Sequence, residues 1–153
     1  MNRIQSLNEF WPYYLSEHRS PVSRALHFVG TTGFFASIVA SLAWNPMWFS
    51  VGLAVAIAAG WWGATRIEPH RAAFLPMALI VVPMAVTSPW VLGGVVGAYA
   101  CAWIGHFRVE HNRPATFTYP VWSFLCDFRM WGNMARGRLW SGDSVNPTGG
   151  AVA

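Results

Sequence analysis

Five histidines, His18, His27, His70, His106 and His111, are the residues of this chain best suited to chemistry. Neutral imidazole is the commonest protein ligand for a metal ion and suits iron, zinc and copper alike. A lone histidine at a helix end is ordinarily a hydrogen-bonded boundary residue, and each of the five has that plain alternative. Their joint placement argues for a metal, because all five fall in or beside the three segments that hold every charged side chain. Glu110 lies four residues after His106, so a continuous helix would set both on one face, where the carboxylate could ligate or orient the imidazole. His111 is five residues after His106, about 140° round a helix, and can join it only if the helix ends between them. Asn112 and Pro114 favour such an ending. His18 and His27 would stand on opposite faces of one helix, and Pro21 breaks it.

The elements that must position these groups follow from where charge is missing. Residues 27–65 and 72–107, which are 39 and 36 residues long, contain no Asp, Glu, Lys or Arg. One membrane helix takes about 20 residues, so each stretch is two spans joined by a tight turn. Asn45-Pro46 separates Phe28–Trp44 from Met47–Thr65, and Thr87-Ser88-Pro89 separates Ala72–Val86 from Trp90–Phe107. Pro76 and Pro83 interrupt the third span, which membrane helices tolerate when neighbours satisfy the freed carbonyls. Gly93 with Gly97, and Gly60 with Ala64, offer close helix contacts.

The predicted fold is therefore all-α, a polytopic membrane bundle of four transmembrane helices. At its start Leu7, Phe10, Trp11, Tyr14 and Leu15 form a stripe at helical spacing, an N-terminal interfacial helix. At its end, residues 119–140 mix aromatic side chains with Asp127 and Arg129. This amphipathic C-terminal segment lies on the membrane or folds over the mouth of the bundle. Residues 1–140 form one membrane-embedded catalytic domain, and 141–153 a flexible tail.

Composition sets the solvent and excludes some functions. Charged residues are 10% of the chain, against about 25% in a soluble domain. The basic excess is ten Arg with no Lys, scattered beside apolar runs rather than gathered in a patch, which suits lipid headgroups and not nucleic acid. Two hairpins leave all charge on one side, and the positive-inside rule makes that side cytoplasmic, with both termini and the metal site. The missing Lys fits a GC-rich bacterial source, so an inner membrane is the expected location. Cys101 and Cys126 read as free thiols, and no apolar leader opens the chain. Nothing in the sequence sets an oligomeric state.

Tyr14-Leu15-Ser16-Glu17-His18, Leu26-His27-Phe28-Val29-Gly30, and Trp103-Ile104-Gly105-His106 through Glu110 and Pro114-Ala115 carry a resemblance. They resemble a family of small membrane proteins, long a domain of unknown function, that includes 2-hydroxy-fatty-acid dioxygenases. The resemblance implies iron(II)-dependent α-oxidation, in which a 2-hydroxy fatty acid and O₂ give a fatty acid one carbon shorter. It implies Fe²⁺ as cofactor, with His18, His27 and His106 as ligands. Glu110 carries over with the Glu-x-x-x-Pro pattern ending at Pro114. His111 departs from the pattern, as an added ligand or a neighbour, and His70 is carried over on proximity alone. Arg108, Arg113 and Arg129 are candidates to pair with the substrate carboxylate, and Glu110 and Arg113 are taken as the catalytic pair. Two alternatives stand beside this: a zinc-dependent membrane lipid hydrolase with Glu110 as general base, and a non-enzymatic structural or transport protein whose histidines cap helices.

Overall fold

The computed structural model describes residues 4, 6–66 and 75–141, and these fold as helices and their connections. Helix α1 (Leu7–Ser16) starts at Ser6, whose hydroxyl accepts the Glu9 N–H at 3.2 Å. A four-residue break then separates it from α2 (Pro21–Trp44). Ser20 caps α2 and Pro21 takes its first position, where no N–H is needed, so the expected break falls where the proline requires it. Asn45 ends α2 and Pro46 begins α3 (Pro46–Arg66). Helix α4 (Leu75–Thr87) and α5 (Trp90–Ile104) flank the Ser88-Pro89 turn. The end of α5 widens into a π-helical turn, Gly105–Glu110, and a short 3₁₀ turn, Ala115–Phe117, leads to α6 (Pro120–Ala135).

Two antiparallel partnerships make the bundle, α2 with α5 and α3 with α4. Small residues set their approach: a methyl group added at Gly30 would lie 3.0 Å from the Ala98 Cα. Gly60 packs on Ile80, as close contact at that position requires, whereas Gly93 and Gly97 face open space. The α2–α5 contact runs instead through Gly30 and Gly94, one position away from the expected stripe. The two turns meet through buried hydroxyls, Ser41 Oγ and Ser88 Oγ at 2.8 Å. Phe34, Phe49, Ala56, Met84 and Val91 form the core between the hairpins.

Of the four expected spans, three are long and apolar enough to cross a membrane: Pro21–Trp44, Pro46–Gly63 and Trp90–Glu110. The fourth, α4, has 13 residues. That is about 20 Å at 1.5 Å per residue, against a hydrocarbon core of about 30 Å. Pro76 stands in its first turn and Pro83 inside it, and the earlier part of the expected span, with His70, lies outside the described residues. The stripe on α1 is buried against α6: Phe10, Tyr14 and Leu15 form one cluster with Cys126, Met130 and Met134. Helix α6 in turn lies on α2, with Trp131 stacked on Phe28 and its indole N–H bonded to Thr32. The amphipathic terminal helices thus cap one end of the bundle by covering each other's apolar faces.

Candidate metal centre

Three segments bring three histidines together. His18 sits in the break after α1, His27 lies in the second turn of α2, and His106 occupies the π-helical turn that ends α5. All three are buried, and one ring nitrogen from each lies within 4.8 Å of the others. A π-helical turn rotates the residues after it relative to an α-helix, and such turns are frequent at functional sites. Gly105 lets that turn approach α2, since a Cβ there would meet Ser23 Oγ at 3.0 Å. Glu110 Oε1 accepts the Ser20 N–H at 2.7 Å, tying the same turn to the start of α2.

The hydrogen bonds of the three rings decide their tautomers. His18 Nδ1 is 2.7 Å from the Tyr14 carbonyl oxygen, and His27 Nδ1 is 3.1 Å from Asp127 Oδ1. His106 Nδ1 is 2.7 Å from Asn112 Oδ1, because the Asn112 amide nitrogen is committed to Glu17, at 2.8 Å from its carbonyl oxygen and 2.9 Å from its Oε2. Each partner can only accept, so each Nδ1 carries a proton and donates it. In neutral imidazole that leaves every Nε2 as a bare lone pair. His18 Nε2 and His27 Nε2 are 3.1 Å apart, a separation that a shared proton or a metal ion held by both would satisfy. Burial, then the neighbouring His27 and His106, holds His18 well below the ordinary histidine pKa, which keeps its Nε2 an open acceptor. The donor set therefore fits a resident metal ion, with the carbonyl, carboxylate and amide behind the rings fixing their orientation as in known metal sites.

Asp127 is the acceptor of two groups, since the Tyr14 hydroxyl also donates to its Oδ1. Burial and the Asp127 charge push the Tyr14 phenol well above its usual value, which keeps it a donor. Arg24 is fully buried beside the site: its Nε donates to the His18 carbonyl at 2.7 Å, and Nη1 reaches the Leu139 and Ser141 carbonyls at 3.2 and 2.8 Å. Asp127, Tyr14, Asn112 and Arg24 are the residues whose part in the site escapes sequence reasoning. An acid inside the aromatic run 122–131, and an arginine three residues from His27, were the only signals.

The remaining expected residues fall elsewhere. Glu110 is engaged at the start of α2, and Asn112 rather than Glu110 orients His106. The helix does end between His106 and His111, but His111 takes a left-handed backbone, φ 54°, and its side chain is exposed. Arg113 is exposed with its guanidinium over the Phe117 ring at 4.9 Å, Arg108 is exposed, and Arg129 stacks on Trp11 and bonds Asn8. Cys101 and Cys126 are unpaired thiols, and burial pushes Cys126 up to about 12.

A cavity opens from the triad into the bundle. Its head holds the three histidines, Tyr14 and Asp127, and its walls are apolar residues of α2, α4, α5 and α6 such as Phe34, Ile80, Met84 and Val95. Among the described residues, no Lys or Arg lines it. A helical membrane-type bundle with a buried three-histidine centre at the head of an apolar cleft is the class this geometry defines. The chain belongs to the Mpo1-like family, described as 2-hydroxy-palmitic acid dioxygenase Mpo1-like, whose model matches residues 4–80 and 70–139. No curated protein and no solved structure matches it.

Proposed function

We propose that the chain is an iron(II)-dependent dioxygenase that converts a 2-hydroxy fatty acid to the fatty acid one carbon shorter. The observation that carries this is the cluster of three buried Nε2 lone pairs opening on an apolar cleft, in a chain of this family. His18, His27 and His106 would hold the ion. When bound, a ferrous ion with open positions supplies O₂ activation and a Lewis-acidic point for the hydroxy acid. The overall change balances with one O₂ per substrate: R–CH(OH)–COOH and O₂ give R–COOH, CO₂ and H₂O. The chain's own part is to keep the three rings oriented, to exclude bulk water with the α1–α6 cap, and to seat the acyl chain among Phe34, Ile80, Met84 and Val95. Glu110 is free of the role a zinc hydrolase would need, because it is spent on Ser20.

The same reading places the protein as a multi-pass protein of a bacterial inner membrane, in four spans with the centre at the cytoplasmic surface. Exposed tryptophans support two interfacial belts: Trp44, Trp48 and Trp90 near the turns, and Trp61, Trp62 and Trp103 towards the other end. Trp48 to Trp61 on α3 and Trp90 to Trp103 on α5 are each 13 positions apart, about 20 Å, which is the length of α4. The catalytic unit comprises residues 1–140 together with Ser141, whose carbonyl Arg24 holds. The expected tail beyond it lies outside the described residues.

The test is protein purified without oxygen in detergent, assayed for bound metal and then for O₂ uptake with 2-hydroxypalmitate. One O₂ consumed and one CO₂ released per acid, with pentadecanoate as product, is the expected result. Bound zinc with no O₂ uptake after iron loading would refute it.

A further inference from the structure

Three buried side-chain polar atoms have no hydrogen-bond partner among the described residues: Ser23 Oγ, Arg24 Nη2 and Ser123 Oγ. Ser23 and Arg24 are not among the residues that line the cavity, whereas Ser123 is. A buried hydroxyl without a partner carries an uncompensated desolvation cost, so a fold keeps one either by accident or for a ligand. A helical serine has a ready internal partner in the carbonyl one turn earlier. Here the Tyr119 carbonyl takes only the Ser123 backbone N–H, at 2.9 Å, and the hydroxyl is left open. Ser123 is also one turn before Asp127 on α6, so both stand on the face that looks towards the triad.

The triad, Tyr14 and Asp127 cannot greet an acid, and beyond them the lining offers the hydroxyls of Thr31, Tyr99, Thr116 and Ser123, of which Ser123 Oγ is the buried one without a partner. Asp127 is an acceptor already used by Tyr14 and His27, and the three Nδ1 protons are all committed. With no Lys or Arg lining the cleft, a carboxylate oxygen that does not reach the metal needs a neutral donor. Ser123 is 3% exposed and has its proton free.

We propose that the Ser123 hydroxyl donates to the substrate carboxylate and is the residue that selects an acid headgroup. This rests on the reading of the protein as a 2-hydroxy-acid enzyme, and adds the group that recognises the acid. The carboxylate is thereby held without a cationic side chain, and Arg113 has no part in it.

The experiment measures binding to zinc-loaded protein, which has no redox chemistry and so reports binding without turnover. The probes are 2-hydroxypalmitic acid and hexadecane-1,2-diol, which keeps the adjacent oxygens but lacks the carboxylate. Ser123→Ala should weaken the acid by about tenfold or more, as loss of a hydrogen bond to a charged group does, and leave the diol within about twofold. Its thermal midpoint should equal or exceed that of the parent, because an unsatisfied polar group has been removed. Unchanged acid affinity would overturn the proposal. So would equal weakening of acid and diol, or a variant that fails to fold, since either gives Ser123 a packing role. Parent protein that binds no acid overturns this proposal and the assigned function together. Parent protein that binds the acid but, iron-loaded, consumes no O₂ overturns only the function.

Discussion

Replacing Asp127 by Asn changes one atom and tests whether the carboxylate behind His27 sustains the metal. In the parent, Oδ1 receives both the His27 Nδ1–H at 3.1 Å and the Tyr14 hydroxyl. An amide oxygen can still accept from either, but it carries no charge, and its NH₂ cannot accept from His27 at all. The loss is one charge-assisted hydrogen bond, about 1.5–3 kcal/mol, which in a dissociation constant is roughly tenfold to 150-fold. Outer-shell partners of metal-bound histidines are generally worth 10–100-fold, so the two routes agree. The assay is anaerobic competition for Fe²⁺ against a chelator of known affinity, with Co²⁺ absorption as a check. Tyr14→Phe, which leaves the His27 bond in place, should cost less than Asp127→Asn, and His27→Ala more than either. An Asp127→Asn affinity within about twofold of the parent, while His27→Ala abolishes binding, would refute the claim that Asp127 tunes the ring. The metal-free variant should unfold near the parent temperature, since the amide fits the same space.

His18→Ala, His27→Ala and His106→Ala should each remove most bound iron, measured as iron per protein, while His111→Gly keeps it. The glycine should also raise the thermal midpoint, because it relieves a left-handed residue worth about 1 kcal/mol. His18 is neutral when folded, so below about pH 6.5 the unfolded chain binds more protons and stability falls as pH drops. Metal-free protein should hold its thermal midpoint above that pH and lose it towards pH 5, and a flat profile would count against a buried neutral His18. Arg24→Met should lower the midpoint by several degrees and expose residues 136–141 to protease, because three carbonyls lose a charged donor. Cysteines placed at the exposed positions Met47 and Pro89 should label from outside intact cells, and one at Arg136 should not.

The spans were legible because a bilayer allows almost no charge, and the runs without it are unmistakable in 153 residues. The turns were legible through Asn45-Pro46 and Ser88-Pro89; placement at the edges of those runs marked all five histidines, and only the family resemblance singled out His18, His27 and His106. What could not be read was depth and direction. The start of the third expected span lies outside the described residues, and no hydropathy pattern says where a proline-bearing helix begins. The π-helical turn moved Glu110 away from His106 towards Ser20, breaking the i, i+4 relation that an α-helix would have kept. Asp127 and Tyr14 are 113 residues apart, and only docking of α6 on α1 joins them.

That docking gives the site its logic. The membrane-type helices contribute His27 and His106, whereas His18 lies beyond α1 and Asp127 lies on α6, the two elements that form the cap. A metal held by histidines from both parts would make its affinity depend on the cap being seated, and seating of the cap depend on the metal. His18 Nε2 and His27 Nε2, 3.1 Å apart, are where the cap meets α2, so a metal ion held by both would tie the two parts together. The coupling is reciprocal by thermodynamic necessity: metal would stabilise the seated cap by as much as seating the cap strengthens metal binding. A change that unseats the cap weakens the metal by the fraction of seated protein it removes. Phe10 makes this separable, being fully buried between α1 and α6 yet absent from the residues that line the cleft. Phe10→Ala should therefore lower metal affinity without touching a ligand, and saturating metal should restore part of the lost thermal stability. If Phe10→Ala loses stability but binds metal as the parent does, the cap and the centre are independent and the coupling is wrong.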